Sequence, residues 1–170
     1  MILIYIQIDT VLLFCSDEED ISYTNFQLTD GLESYDIFAR IVKNEEVADR
    51  MQLLKFCMED TKQQVFDLTL QEWNCLEIES VRIRIAMYHA HSDHQYAQTC
   101  CIREALYAKT AYNDEYDGVV TTLYRAEPQA TRFSNYFFVL TRDEFISLVL
   151  KFEAIRKSCP QLFDCLPNKN

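Results

Sequence analysis

Apolar and polar residues alternate from the start of the chain. Ile2, Ile4, Ile6 and Ile8 fall on one side of an extended segment and Leu3, Tyr5 and Gln7 on the other, and an apolar run over 11–14 continues it after a bend near Asp9 and Thr10. This period of two predicts a strand. Residues 16–20 read as an exposed acidic turn, and residues 21–28 as a further strand rich in β-branched and aromatic side chains. The chain turns again near Gly31, and residues 35–42 fit either strand or helix. From Asn44 the period lengthens. Asn44 is a candidate N-cap, Glu45 and Glu46 sit where a helix dipole favours negative charge, and Val47, Met51, Leu54 and Met58 recur at helical spacing.

The middle of the chain reads as short strands. Residues 65–79 hold two strand-like pieces around Trp73, and Val81, Ile83, Ile85 and Met87 alternate with Arg82, Arg84 and Ala86 as in a half-buried strand. Ala97, Cys101, Ala105 and Ala108 fit a helix over 95–109. After Asp117-Gly118, residues 119–125 predict a strand, and 126–132 a loop. Residues 135–140 are apolar on both faces, the pattern of a central strand covered on both sides. Thr141 and Glu144 form a capping box, and Phe145, Leu148, Val149, Phe152 and Ile155 line one face of a helix that Cys159-Pro160 ends. Together these elements predict an α+β fold, a mixed or mostly antiparallel sheet with two or three packed helices. No repeat, linker or low-complexity stretch divides the chain, so residues 1–166 are expected to form a single globular domain and 167–170 a short flexible tail.

Charge adds direction to this picture. The chain carries 27 acidic and 16 basic side chains, a net of −11. Arg40 is the first basic residue, whereas Asp9, Asp17, Glu18, Glu19, Asp20, Asp30, Glu33 and Asp36 all precede it. Such a surface repels phosphate backbones and anionic lipid, which argues against direct nucleic-acid or membrane binding, and it attracts a basic protein. Seven cysteines, an odd number with no CxxC pair, predict reduced and mostly buried thiols in a cytoplasmic protein rather than a disulfide framework. The apolar start lacks a basic n-region and a small-residue cleavage site, and it is shorter than the roughly 20 residues that span a bilayer. With two glycines in the whole chain, neither a P-loop nor a GxGxxG cradle is present, which removes the common nucleotide-binding enzymes.

Two segments could carry chemistry. His89, His91, Asp93 and His94 lie in the run His-Ala-His-Ser-Asp-His, after a predicted strand, and include every histidine of the chain. This HxHxDH pattern resembles the zinc-binding motif of the metallo-β-lactamase superfamily. The resemblance implies His89 and His91 as ligands of a first zinc and Asp93 and His94 as ligands of a second, in a hydrolase. No histidine follows His94, so a further ligand would have to come from Asp117 or a cysteine. The bland reading is a polar strand end with exposed imidazoles.

The second segment is Tyr112, Asn113, Asp114, Glu115, Tyr116 and Asp117, a loop in which acids alternate with the residue type best suited to contact surfaces. It pairs in character with Asp17, Glu18, Glu19 and Asp20. These features favour a non-catalytic protein without cofactor: an acidic, protein-binding inhibitor of the immunity-protein kind. It would neutralise a basic enzyme such as a nuclease toxin, with Asp17–Asp20, Tyr112 and Asp114–Asp117 as the contact. A zinc hydrolase built on the histidine run and a non-catalytic adaptor or viral host-interaction protein are the alternatives. Oligomeric state is left open.

Overall fold

A computed structural model describes residues 22–27, 35–43, 48–57, 63–126 and 136–165. The predicted strand at the amino terminus, the acidic turn at 16–20, the candidate cap Asn44 and the tail at 167–170 lie outside these residues. The elements run β1 (Ser22–Gln27), β2 (Tyr35–Lys43), β3 (Arg50–Cys57), β4 (Gln63–Thr69), α1 (Leu70–Ser92), β5 (Ala97–Arg103), β6 (Leu106–Asn113), β7 (Gly118–Arg125), β8 (Phe137–Thr141), α2 (Arg142–Ser158) and α3 (Gln161–Asp164). The architecture is α+β, as the sequence predicts, but the strands form two four-stranded antiparallel sheets, β1-β2-β3-β4 and β5-β6-β7-β8. Each sheet is a meander, and each meander runs straight into a helix.

The chain therefore repeats itself, contrary to the sequence reading. Leu53 pairs with Phe66 in the first sheet as Leu123 pairs with Phe138 in the second. Thr69 and Glu72 cap α1 as Thr141 and Glu144 cap α2, each threonine hydroxyl accepting from the glutamate's N–H while the glutamate carboxylate accepts from the threonine's. Trp73 and Phe145, Leu76 and Leu148, and Ile83 and Ile155 follow at matching, fully buried positions. The repeat is hard to see in the sequence because few residues besides these core and cap positions match.

One cluster of buried residues joins both sheets to the helices. Phe66 and Phe138 meet where β4 approaches β8, with ring centroids 6.2 Å apart. Trp73 meets Phe152 edge to face at 5.3 Å, and Asn74 Nδ2 donates to the carbonyl of Leu162 at 2.8 Å, which binds α1 to α2 and α3. Helix α1 lies across β5 and β6, where Ile83 and Ala86 meet Cys100, Ala108 and Thr110 around one small cleft. Small side chains there let helix and sheet approach closely.

Four predicted elements need correction. The helix expected from Asn44 to Met58 is instead strand β3, in which residues 51–55 are all buried. A strand covered on both faces loses its period of two, and Met51 and Leu54 happened to match a helix. Its outer face carries a polar row: Arg40 Nε donates to Gln52 Oε1 at 2.6 Å, Gln52 Nε2 donates to Asp67, and Arg50 lies 3.7 Å from Asp67. The strands expected over 75–79 and 81–87 are helix α1. There Leu76, Ser80, Ile83, Met87 and Ala90 form a buried stripe, while Ile78, Val81, Ile85 and Tyr88 form an exposed one. Two apolar stripes on opposite sides of a helix interleave in sequence into apparent alternation. The helix expected over 95–109 is the β5–β6 hairpin, turned at Glu104, whose φ of 48° is left-handed. Finally β8 is an edge strand, not a central one, with Phe137 exposed while Phe138 and Leu140 are buried. The β7 strand and the capped α2 helix ending at Cys159 match the prediction.

No disulfide occurs among the described residues. Cys159 is buried and its thiol is pushed up to about 11 by burial, whereas Cys101 is exposed and Cys75, Cys100 and Cys165 are half-buried. The thiols are thus less uniformly buried than the sequence suggests. No helix among the described residues is long and apolar enough to cross a membrane.

Two buried ion pairs cross between the halves. Arg125, at the end of β7 in the second meander, grips Glu72 at the start of α1 with both prongs, Nη1–Oε1 at 2.7 Å and Nη2–Oε2 at 2.8 Å, and also donates to the Asp67 carbonyl at 2.8 Å. Lys55, in the first meander, holds Glu144 at the start of α2, Nζ–Oε1 at 3.0 Å. Burial pushes the Glu72 carboxyl up, but the Arg125 guanidinium and the Thr69 amide outweigh it and hold the group below its ordinary 4.5. Its contribution to stability is therefore complete above that pH and is lost as pH falls below it. Glu72→Gln strands a guanidinium that is only 10% exposed, and should cost about 3–5 kcal/mol at neutral pH in urea unfolding. The gap between wild type and variant should narrow as pH is lowered through the acid range below 4.5.

Candidate functional site

The β6–β7 hairpin presents the predicted contact loop. Asn113 and Gly118 are the last paired residues, and Asp114–Tyr116 between them form a single 3-10 turn. Asn113 Oδ1 accepts from the Glu115 N–H at 2.8 Å and caps that turn, and the Asp117 N–H donates to the Asp114 carbonyl at 3.2 Å to close it. The left-handed residue is Asp117, with φ 45° and ψ 43°, not the neighbouring Gly118. Aspartate tolerates this region better than most side chains, and here its carboxylate is tied down. Tyr112 Oη donates to Asp117 Oδ1 at 2.8 Å across the base of the loop. Accepting that proton favours the neutral phenol, so Asp117, with a lesser contribution from burial, holds the Tyr112 hydroxyl above its ordinary 10.0.

The loop is also braced from the other predicted segment. The His94 ring stacks on Tyr112 with centroids 3.7 Å apart and planes 10° from parallel. Tyr112 is half-buried against the core, so its ring stands between core and imidazole. The structure thus brings together one residue of the histidine run and two of the acidic loop, a proximity the sequence does not reveal.

The rest of the run has other work. It sits at the end of helix α1, not at the end of a strand as the metallo-β-lactamase resemblance requires. His89 and His91 are two positions apart on that helix, about 200° around its axis, so their rings diverge. Asp93 is the C-cap: its N–H donates to the His89 carbonyl at 2.8 Å and its Oδ1 accepts from the Gln95 N–H at 3.0 Å. His89 packs between Tyr88 and Tyr96 at 5.8 and 5.3 Å. Among the described residues no group of three or more His, Cys, Asp or Glu side chains is placed to hold a metal ion. Helical periodicity could have given warning, since ligands on one helix face need a spacing of three or four.

Asp114, Glu115, Tyr116 and Asp117 are all exposed. Among the described residues no cation forms an ion pair with Asp114, Glu115 or Asp117. Helix α1 ends beside this loop, as the His94–Tyr112 stack requires, and its carbonyl end adds partial negative charge to the same pole. Asp17, Glu18, Glu19 and Asp20 lie outside the described residues. No protein-family model matches the chain, and no curated protein resembles it in sequence.

The Tyr112–Asp117 bond can be read directly. Asp117→Asn keeps a side chain that accepts the left-handed backbone but removes the charge. The Tyr112 phenol should then titrate lower, back toward 10.0, by NMR of Cζ-labelled tyrosine. An unchanged midpoint would mean that the contact is not formed in solution.

Proposed function

We propose that this chain is a non-catalytic, protein-binding inhibitor, an acidic cytoplasmic protein that neutralises a basic enzyme, of the sort a nuclease toxin would be, by covering its cationic active site. The observation that carries this reading is the acidic turn at 114–117: three exposed carboxylates, braced by the Asn113 cap and the Tyr112–Asp117 bond, with no ion-pairing cation among the described residues. Order matters because a loop already in its bound shape loses little entropy on docking. Charge matters because carboxylates gathered at one pole speed encounter with a cationic surface, while desolvated carboxylate–Arg or –Lys pairs slow release. Tyr116 is the aromatic anchor of the contact, and Asp17–Asp20, outside the described residues, are the second acidic segment assigned to it.

Immobilised wild-type protein and the variant Asp114→Asn/Glu115→Gln/Asp117→Asn/Tyr116→Ala test the proposal. Wild type should retain a basic protein at low salt and release it at high salt. With that partner in hand, the variant should associate about 10- to 100-fold more slowly at low salt and lose most of the salt dependence. Equal association by the two proteins would rule the loop out as the contact. Stoichiometric zinc in purified wild type, absent from His89→Ala/His91→Ala, would replace the inhibitor with a metal protein.

A further inference from the structure

Helix α1 carries an apolar stripe on the side opposite its core face. Ile78, Val81, Ile85 and Tyr88 are 55%, 51%, 53% and 69% exposed. Their spacing of three, four and three is that of the a and d positions in a helix–helix seam. Its fold equivalent shows what solvent alone would select. On α2 the corresponding side carries Leu150 followed by Glu153 and Lys157, the last two joined in an exposed salt bridge at 2.7 Å. Where α2 has a solvated ion pair, α1 has branched aliphatics and a tyrosine.

The flanks of the stripe are cationic. Helix α1 holds three glutamates, and each is already engaged: Glu72 by Arg125, Glu77 by Arg156 and Glu79 by Arg82. Arg84 forms no ion pair among the described residues and stands exposed on one side of the stripe, with Arg82, 71% exposed and 3.4 Å from Glu79, on the other. On a chain of net charge −11 this leaves Arg84 as an exposed cation at the edge of the stripe, unpaired among the described residues. At physiological salt, charges beyond a Debye length of about 8 Å are largely screened, so a partner seated here meets the two arginines rather than the distant acids.

We infer that this face of α1 binds an amphipathic helix whose apolar seam is flanked by Asp or Glu, in another protein. A second copy of this chain fits less well. Antiparallel self-pairing, which would centre the seam on itself, sets Arg84 against Arg84 and Arg82 against Arg82. The stripe is also only about 15 Å long and one helix wide, well short of the roughly 800 Å² per partner of a standard stable interface, and suited to a single docked helix. The inference rests on other residues than those of the acidic loop, which lies beyond the helix end, about a turn and a half past Tyr88.

A fluorescein-labelled three-heptad peptide with leucine at a and d and glutamate at e and g is the probe, and the same peptide with lysine at e and g is its control. Neither pairs with itself, because its own flanks repel. The full chain should bind the glutamate peptide at least about tenfold more tightly than the lysine peptide at low salt. Val81→Asp/Ile85→Asp should abolish binding, and Arg82→Glu/Arg84→Glu should reverse the preference. All four positions are at the surface, so far-UV circular dichroism and Tm should be unchanged. Should the aspartates lower Tm, Ile78→Ser/Ile85→Ser makes the same comparison. Equal binding of the two peptides, or of neither, overturns the inference. So does a wild-type dimer in sedimentation equilibrium that Ile85→Asp dissociates, which would assign the face to a second copy.

Discussion

Two glutamates hold this fold in register, each by doing two things at once. Glu72 and Glu144 close the first turn of their helices by accepting from the backbone amides of Thr69 and Thr141, both at 2.8 Å. Each also receives a cation from the opposite meander. A carboxylate at a helix start already gains from the dipole. Buried there, it also needs a counter-charge, and Arg125 and Lys55 supply it from strands other than the one that runs directly into the helix concerned. The result is a pair of crossed braces. Helix α1 cannot slide along the second sheet, nor α2 shift against the first, without breaking a bidentate or fully buried contact. Apolar packing alone would leave this less well defined, because the two halves present similar faces: Phe66 and Leu68 in one, Phe138 and Leu140 in the other. Buried pairs of this kind add little net stability over an apolar substitute, but removing one partner is expensive.

That arrangement was only partly legible beforehand. Helix α2 could be read because every signal agreed: a capping box, one apolar face, a charged opposite face and a proline at its end. Helix α1 has the same capping box, Thr69 with Glu72, yet the residues after it do not separate into an apolar and a polar side. Its outer stripe fills the gaps left by its inner one, and Val81 to Met87 then mimics a strand. Strand β3 failed for a related reason. Met51, Leu53 and Lys55 face one way and Gln52 and Leu54 the other, all buried, so burial on both faces erased the alternation that identifies a strand. Both errors arise where an element is apolar on more sides than its class requires, because sequence periodicity records contrast between faces and not the faces themselves.

The site divides in the same way. A tight, acidic, tyrosine-bearing turn at 112–117 was visible from residue type, since Asn, Asp and Gly concentrate where the chain reverses. Its rigidity was not, because it comes from Tyr112 reaching Asp117 and from His94 arriving from another element. The histidine run depends on the backbone as well. Its residue types and spacing imitate a metal motif, but the meaning of an HxH spacing depends on the backbone beneath it. On a strand, side chains two apart share a face, whereas on a helix they point away from one another. With α1 taken for a strand, the metal reading followed. With α1 a helix, His94 becomes a stacking partner and Asp93 a cap.

Helix α1 thus organises the surface as well as the core. Its buried stripe closes the second sheet, its carbonyl end and C-cap lead into the acidic loop, and its outer stripe faces away with arginines on either side. A macrodipole runs along this axis, negative toward the loop. Beyond the ion-paired Glu72, Glu77 and Glu79 at its start, the helix carries Arg82 and Arg84 midway, and Asp93, Asp114, Glu115 and Asp117 lie around its end. A protein needing only solubility would have no reason to sort its charge along one helix, nor to leave four large apolar side chains in water beside the arginines while α2 uses a salt bridge at the equivalent place. On the two proposals made above, partners of opposite charge would approach different parts of this one helix. Each would be repelled by the surface that suits the other, which would make the two contacts distinct in electrostatics as well as in shape.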